Sequence, residues 1–168
     1  MAGDEIVSRP SFDATRAITI EAPPERVWPW IVQMGYGRAG FYSYDLLDNA
    51  GRQSAETIIE EFQSPRVGDW MPMAAKVSET TAFKFRTVDE PRELLWVKPD
   101  STWSWKLVPL PGGRTRLITR LRQRYDWDTP AMAVLALVLL EFGDFAMMRK
   151  ALKGVKKRAE RNADRPKT

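Results

Sequence analysis

The sequence predicts an α+β domain in which an antiparallel sheet packs on a long C-terminal helix. Three observations carry this. Between residues 68 and 125, segments of alternating apolar and polar residues are separated by Pro91, Pro99-Asp100 and Pro111-Gly112-Gly113, and connections this short join antiparallel neighbours. Near the C-terminus, Phe145, Met148, Leu152, Val155 and Ala159 recur at steps of three and four, with Arg149, Lys150, Lys153, Lys156 and Lys157 off that stripe, the pattern of a helix with one buried face. Finally, 168 residues at 43% hydrophobic and 29% charged make one domain large enough to bury a core without staples. That domain spans residues 1–168, with a core at about 15–161 and flexible ends.

The elements follow in order. Residues 15–21 place Ile18 and Ile20 on one face and Thr19 on the other, a half-buried strand. Pro23 and Pro24 suit a helix's first turn, and Val27, Ile31 and Met34 then recur at helical spacing until Gly35; Pro29 bends this helix. Residues 44–49 read as a second short helix. Residues 57–62 read as a third or, given Ile58 and Ile59, as a strand. Strands are expected at 69–73, 81–88, 93–98, 102–109 and 115–125. In the fourth of these Trp103, Trp105 and Leu107 share one face and Ser104 and Lys106 the other; Phe83 and Phe85 alternate likewise with Lys84 and Arg86. One face of the sheet is thus aromatic, facing the last helix, and the other faces water.

Composition removes whole classes of chemistry. With no cysteine, disulfides, thiolate metal sites and a cysteine nucleophile are excluded. With no histidine, so are the Ser-His-Asp triad and imidazole ligands. The net charge of +4 is uneven: residues 149–168 hold nine Lys or Arg against Glu160 and Asp164, a local +7, so the rest of the chain sums to −3. A basic tail on an acidic body is not the footprint of a nucleic-acid-binding face. Residues 1–10 show no secretory h-region. The most apolar run, residues 131–140, is shorter than the ~20 residues of a spanning helix, and reads as a buried or peripheral helix.

This order of elements resembles the helix-grip fold of the START-like, birch-pollen-allergen-related superfamily (SRPBCC), which includes polyketide cyclase/dehydrase-like members. Particular words carry the resemblance: ITIEAPPERVWPWIVQMG (18–35) is similar to the opening strand and helix of bacterial members, GRAGFYSYDLLDN (37–49) to the segment that follows, and GGRTRLITRLR (112–122) with MMRKALKGVKKRAE (147–160) to the last strand and closing helix. It implies a sheet curled around the C-terminal helix with an internal ligand cavity between them. The superfamily includes lipid carriers, hormone receptors and polyketide cyclases, so the resemblance implies no single activity. The apolar run 131–140 matches none of its familiar motifs.

The expected function is binding of a small hydrophobic molecule, lipid, polyketide or isoprenoid-like, in that cavity. Tyr42, Trp70, Phe83, Phe85, Trp96, Trp103, Trp105, Phe145, Met148 and Leu152 are the candidate lining residues, since aromatic walls stack on flat ligands. For the four tryptophans plain core is an equal reading; Trp28 and Trp30 anchor the first helix. One alternative is a cofactor-independent cyclase or dehydratase in the same cavity, with Tyr44 as proton donor and Asp45 or Glu56 as base; against it, Tyr42 and Tyr44 pack the second helix and Asp45 turns it. The other is a membrane-associated or interaction protein using the basic helix. Gly35 to Gly40 spells G-x-G-x-x-G, but it follows a helix pattern, so a loop over the cavity mouth is expected and not a dinucleotide site. Arg120, Arg122 and Arg124 alternate along a strand as an outward, solvated ladder. No cofactor, metal, nucleic-acid partner or stable membrane insertion is expected, and the chain reads as a cytoplasmic monomer or weak dimer.

Overall fold

The computed structural model describes residues 1–124 and 130–161, with the side chains of the last helix described from Phe145 onward. The order is β1 (Phe12–Ile20), α1 (Pro24–Val32), α2 (Asp45–Asp48), a 3₁₀ turn (Glu60–Phe62), β2 (Trp70–Pro72), β3 (Ala82–Asp89), β4 (Glu93–Lys98), β5 (Ser101–Leu110), β6 (Arg114–Gln123) and α3 (Pro130–Arg161). The six strands form one antiparallel sheet in the order β1-β6-β5-β4-β3-β2. Short turns lay β3 to β6 down as a meander, and β1 adds to its far edge by pairing Phe12 with Gln123 through to Ile20 with Thr115. The two readings of residues 57–62 resolve to the 3₁₀ turn, because Ile59 NH is held by the Gln33 side chain (3.0 Å) in place of a strand partner.

Cross-strand pairs build the aromatic inner face. Trp96 faces Trp103, Leu94 faces Trp105 and Phe85 faces Trp96, and the rings meet edge to face at centroid distances of 5.2 Å (Trp96 to Trp103) and 5.8 Å (Phe85 to Trp96), the arrangement ring quadrupoles favour. Over one end of this face lies α1, which opens on Pro24 and buries Val27, Trp28, Trp30, Ile31 and Val32. The C-terminal half of α3 completes the cover with Met148, Leu152, Val155 and Ala159, each buried. The predicted stripe loses one member: Phe145 is 57% exposed, with the Arg16 guanidinium 5.7 Å above its ring. The apolar run 131–140 lies in the first half of α3, where side chains are outside the described residues.

The outer face of the sheet is not uniformly wet, a second departure from expectation. Residues 1–10 fold back over β4, β5 and β6, burying Val7 together with Leu95, Thr102 and Ser104. A Cβ on Gly3 would lie 2.8 Å from a Leu95 methyl, so the backbone itself is the packing surface. Asp4 binds Arg120 (2.7 Å) and Arg122 (3.5 Å), and Arg122 also reaches Asp13 (3.1 Å). Partial burial acts to raise the Asp4 carboxyl, but the N-terminal ammonium and Arg120 hold it below its ordinary range. These arginines do point outward, as the alternation required, but onto acids of the first strand and the segment before it. Among the described residues no helix is long and apolar enough to cross a membrane.

Candidate functional site

Where α1 and the C-terminal part of α3 press on the sheet, the interior is solid. Trp96, Trp105 and Phe85 are at most 1% exposed and fill the space beneath them. Toward the other end of the strands the filling stops and a pocket of about 390 Å³ opens, within the range of about 300–1,000 Å³ usual for small-molecule sites. Its sheet wall is Phe83, Lys98, Trp103, Leu121 and Gln123; its helix wall is Met147, Met148 and Ala151; the rest is Met34, Phe41, Ser43, Leu47, Asp48, Met73 and Thr80. The wall is thus mainly aromatic and aliphatic. Four of its side chains are methionines, flexible and polarizable enough to adapt to more than one shape.

The polar lining is sparse and specific. Lys98 pairs with Asp100 (3.1 Å) and lies 5.6 Å from the Phe83 ring centre. Ser43 donates to the carbonyl of Met147 (3.0 Å), tying the segment before α2 to α3. Asp48 differs from both. Its two carboxylate oxygens are shut off from solvent and accept no hydrogen bond of ordinary geometry. Burial raises its titration above the usual carboxylate range, and the neighbouring Asp45 charge adds to this; backbone amides and the Ser43 hydroxyl, close enough to favour the charged form, only partly offset it.

The predicted site residues separate into three groups. Phe83, Trp103 and Met148 line the pocket. Phe85, Trp96, Trp105 and Leu152 are buried in the core next to it, while Trp70 sits on the edge strand β2 with the Lys84 ammonium 4.3 Å above its ring, and Phe145 is exposed. Tyr42, Tyr44, Asp45 and Glu56 form the third group, none of them among the lining residues. Tyr44 is 41% exposed under the Lys150 ammonium at 3.7 Å. Asp45 accepts from the Ser54 hydroxyl, which itself accepts from Tyr42 NH (3.0 Å). Glu56 is held by Arg158 and Arg161 (2.7 Å); the Arg161 hydrogen bond, against a small burial cost, keeps its carboxyl below the ordinary range.

Tyr42 belongs to a buried polar hub. Its hydroxyl accepts from Gln33 Nε2 (2.8 Å), Gln33 Oε1 accepts from Ile59 NH and Gln63, and the Arg158 guanidinium lies 4.5 Å from the Tyr42 ring. Burial pushes the phenol above its ordinary range, so it stays a neutral structural group. The G-x-G-x-x-G loop is likewise structural: Gly35 and Gly40 pair with each other, and Arg38 between them donates to the carbonyls of Val32 (2.9 Å) and Trp70 (3.3 Å). No group of three or more acidic residues that could hold a metal ion occurs among the described residues.

The sequence reading missed Asp48, Leu47, Phe41 and three of the wall's four methionines, Met34, Met73 and Met147. Asp48 ends a four-residue helix too short to show a periodicity, and only the fold brings it to the pocket wall. The signal available was its apolar setting, Leu46-Leu47-Asp48.

No protein-family model and no curated protein matches this sequence. Solved structures do. A protein from Thermobifida fusca superimposes with a TM-score of 0.55 at 14% identity, over 89% of this chain and 93% of its own. One from Nitrosospira multiformis gives 0.53 at 13%, over 92% of this chain and 100% of its own. One from Mesorhizobium loti gives 0.50 at 14%, over 89% and 98%. These likenesses show the fold, an antiparallel sheet gripping a C-terminal helix, as the resemblance implied.

Proposed function

We propose that this protein binds one small, largely apolar molecule in the pocket between the sheet and α3, a lipid, polyketide or isoprenoid-like compound being the class that fits such a wall. The observation that carries the reading is the interruption of a tightly packed aromatic core by about 390 Å³ of space walled by Phe41, Phe83, Trp103 and four methionines. Protein interiors ordinarily close such gaps, and space of this size lined by aromatic and thioether groups gains dispersion contacts when an apolar molecule fills it. The expected chemistry is binding. Tyr44, Asp45 and Glu56, the residues a cyclase or dehydratase reading would employ, each have a protein partner and lie off the wall.

Native mass spectrometry of gently purified protein tests this. The expected spectrum contains one additional small molecule per chain, released by organic solvent. A bare-chain mass, together with no uptake of a neutral apolar compound added afterwards, would overturn the proposal.

A further inference from the structure

The outward side of α3 is strongly basic. Its stripe of Met148, Leu152, Val155 and Ala159 is buried against the sheet, which leaves Phe145, Arg149, Lys150 and Lys153 exposed. Arg149 and Lys153 have no ion-pair partner among the described residues, because Glu160 takes Lys156 and Glu56 takes Arg158 and Arg161. Tyr44 and Phe145 share a shallow depression with these cations, and the Lys150 ammonium lies over the Tyr44 ring. From Tyr44 the chain enters α2, whose Leu46 and Leu47 are 80% and 74% exposed. Ser43 fastens this segment to α3 through the Met147 carbonyl (3.0 Å). Four of the eight large hydrophobic side chains exposed among the described residues thus stand on one face, beside cations. Exposed apolar clusters mark contact surfaces. Leu47 also lines the pocket, so this cluster reaches the pocket's rim.

We propose that this face, the tip of α2 with the outer side of α3, docks reversibly on the surface of an anionic lipid bilayer. Leu46, Leu47 and Phe145 enter the interface, while Arg149, Lys150 and Lys153 meet the lipid phosphates. Apolar area and attraction to anionic head groups add in such binding, and no spanning helix is needed. The charge distribution sets the approach: residues 149–168 carry +7 and the rest of the chain −3, so an anionic surface draws this side toward it and repels the remainder. A folded acidic partner would need a hollow for each projecting leucine, whereas a fluid bilayer accommodates projections of any shape. Docking in this orientation sets the pocket's rim against the phase in which an apolar ligand dissolves; that consequence rests on the pocket-binding reading above, and the docking face does not.

The test is co-sedimentation of the full chain with phosphatidylcholine vesicles, with or without about one-third phosphatidylserine, at about 0.1 M salt. Wild type should bind the anionic vesicles and not the neutral ones. Arg149→Gln with Lys153→Gln should weaken binding about tenfold or more, while Arg86→Gln with Arg92→Gln, an equal loss of charge on β3 and the turn after it, should change it less than about threefold. Leu46→Gln with Phe145→Gln leaves the charge intact and should also cost about tenfold. Wild-type affinity in that last variant reduces the attraction to charge alone and overturns the inference, as does an equal loss in both arginine-containing pairs. Wild type held by polyglutamate but not by anionic vesicles overturns it in favour of an acidic polypeptide. Should a glutamine variant not fold, a polarity-sensitive dye on Leu46→Cys decides, since the chain has no other cysteine: its emission should shift to the blue on anionic vesicles, and an unchanged spectrum on vesicles that bind the protein overturns the proposal. Uptake of a neutral apolar probe is read separately. Probe uptake without vesicle binding overturns the docking face alone, and vesicle binding without probe uptake overturns the pocket reading alone.

Discussion

Trp103 and Trp105 stand two residues apart on one face of β5, yet removing them has different consequences. Trp105 is fully buried among Trp96 and Leu94, so Trp105→Ala should cost about 3–5 kcal/mol in denaturant unfolding while leaving the affinity of the folded fraction for an apolar probe nearly unchanged. Trp103 stacks on Phe41 (6.4 Å between centroids) at the pocket wall, so Trp103→Ala should change probe affinity more than any substitution in the solid core. Equal loss of affinity in both would contradict this division. Glu56 gives a pH signature. Its carboxyl titrates below the ordinary range because Arg161 and Arg158 engage it, so its contribution to stability is complete above the unfolded-state titration and disappears as pH falls through the lower folded one. The side chain is 56% exposed, which limits the contribution to less than about 1 kcal/mol. Glu56→Gln should lower the melting temperature slightly at pH 7 and not at all in acid below the folded titration. The alternation of Trp103, Ser104 and Trp105 put both tryptophans on the inner face. It carried no information about which one meets the pocket, because that depends on where α1 ends its cover and not on β5.

At the scale of elements, α3 packs directly against the backbone of Tyr42. A Cβ on Gly154 would lie 2.5 Å from both the Tyr42 carbonyl oxygen and its Cβ. Tyr42 meets the helix there in a left-handed conformation, φ 58°, which a non-glycine residue adopts only when its surroundings impose it; the Ser54 hydroxyl on its amide and the Arg158 stack are those surroundings. Gly154→Ala would gain about 1 kcal/mol in an isolated helix. Here the contact is with backbone that cannot yield, so a net loss of about 1–3 kcal/mol is expected, read by chemical denaturation; a stabilised variant would show that α3 sits farther from this loop. The sequence pattern of the helix says nothing of what this glycine touches. The strands and both main helices were legible because their periods and turn residues agree with the final fold, whereas the segment that finishes the pocket, residues 41–48 with the four-residue α2, is too short to show which side chains face it.

For the whole molecule, the outer layer formed by residues 1–10 and the pocket on the inner face have separate roles. Removing residues 1–10 uncovers Leu95, Thr102 and Ser104 and exposes Val7's site, and should lower stability by about 2 kcal/mol or more from lost apolar burial without abolishing probe binding, since no residue of that segment lines the pocket. Composition could not reveal this cover: the segment is acidic and short, and the alternation in β5 pointed to a wet outer face. What composition did establish, the absence of cysteine and histidine, removes thiol and imidazole chemistry from the pocket. The central claim is that the space beside Trp103 is a ligand site, and filling it is the direct test. Ala151 stands on the α3 wall, so Ala151→Trp places an indole in the pocket. Titration of a neutral apolar fluorescent probe against wild type should show one site per chain with quenching of tryptophan emission, and that site should vanish in an Ala151→Trp protein that still melts cooperatively. Probe binding that persists undiminished in the folded variant, or none in the wild type, would contradict the account.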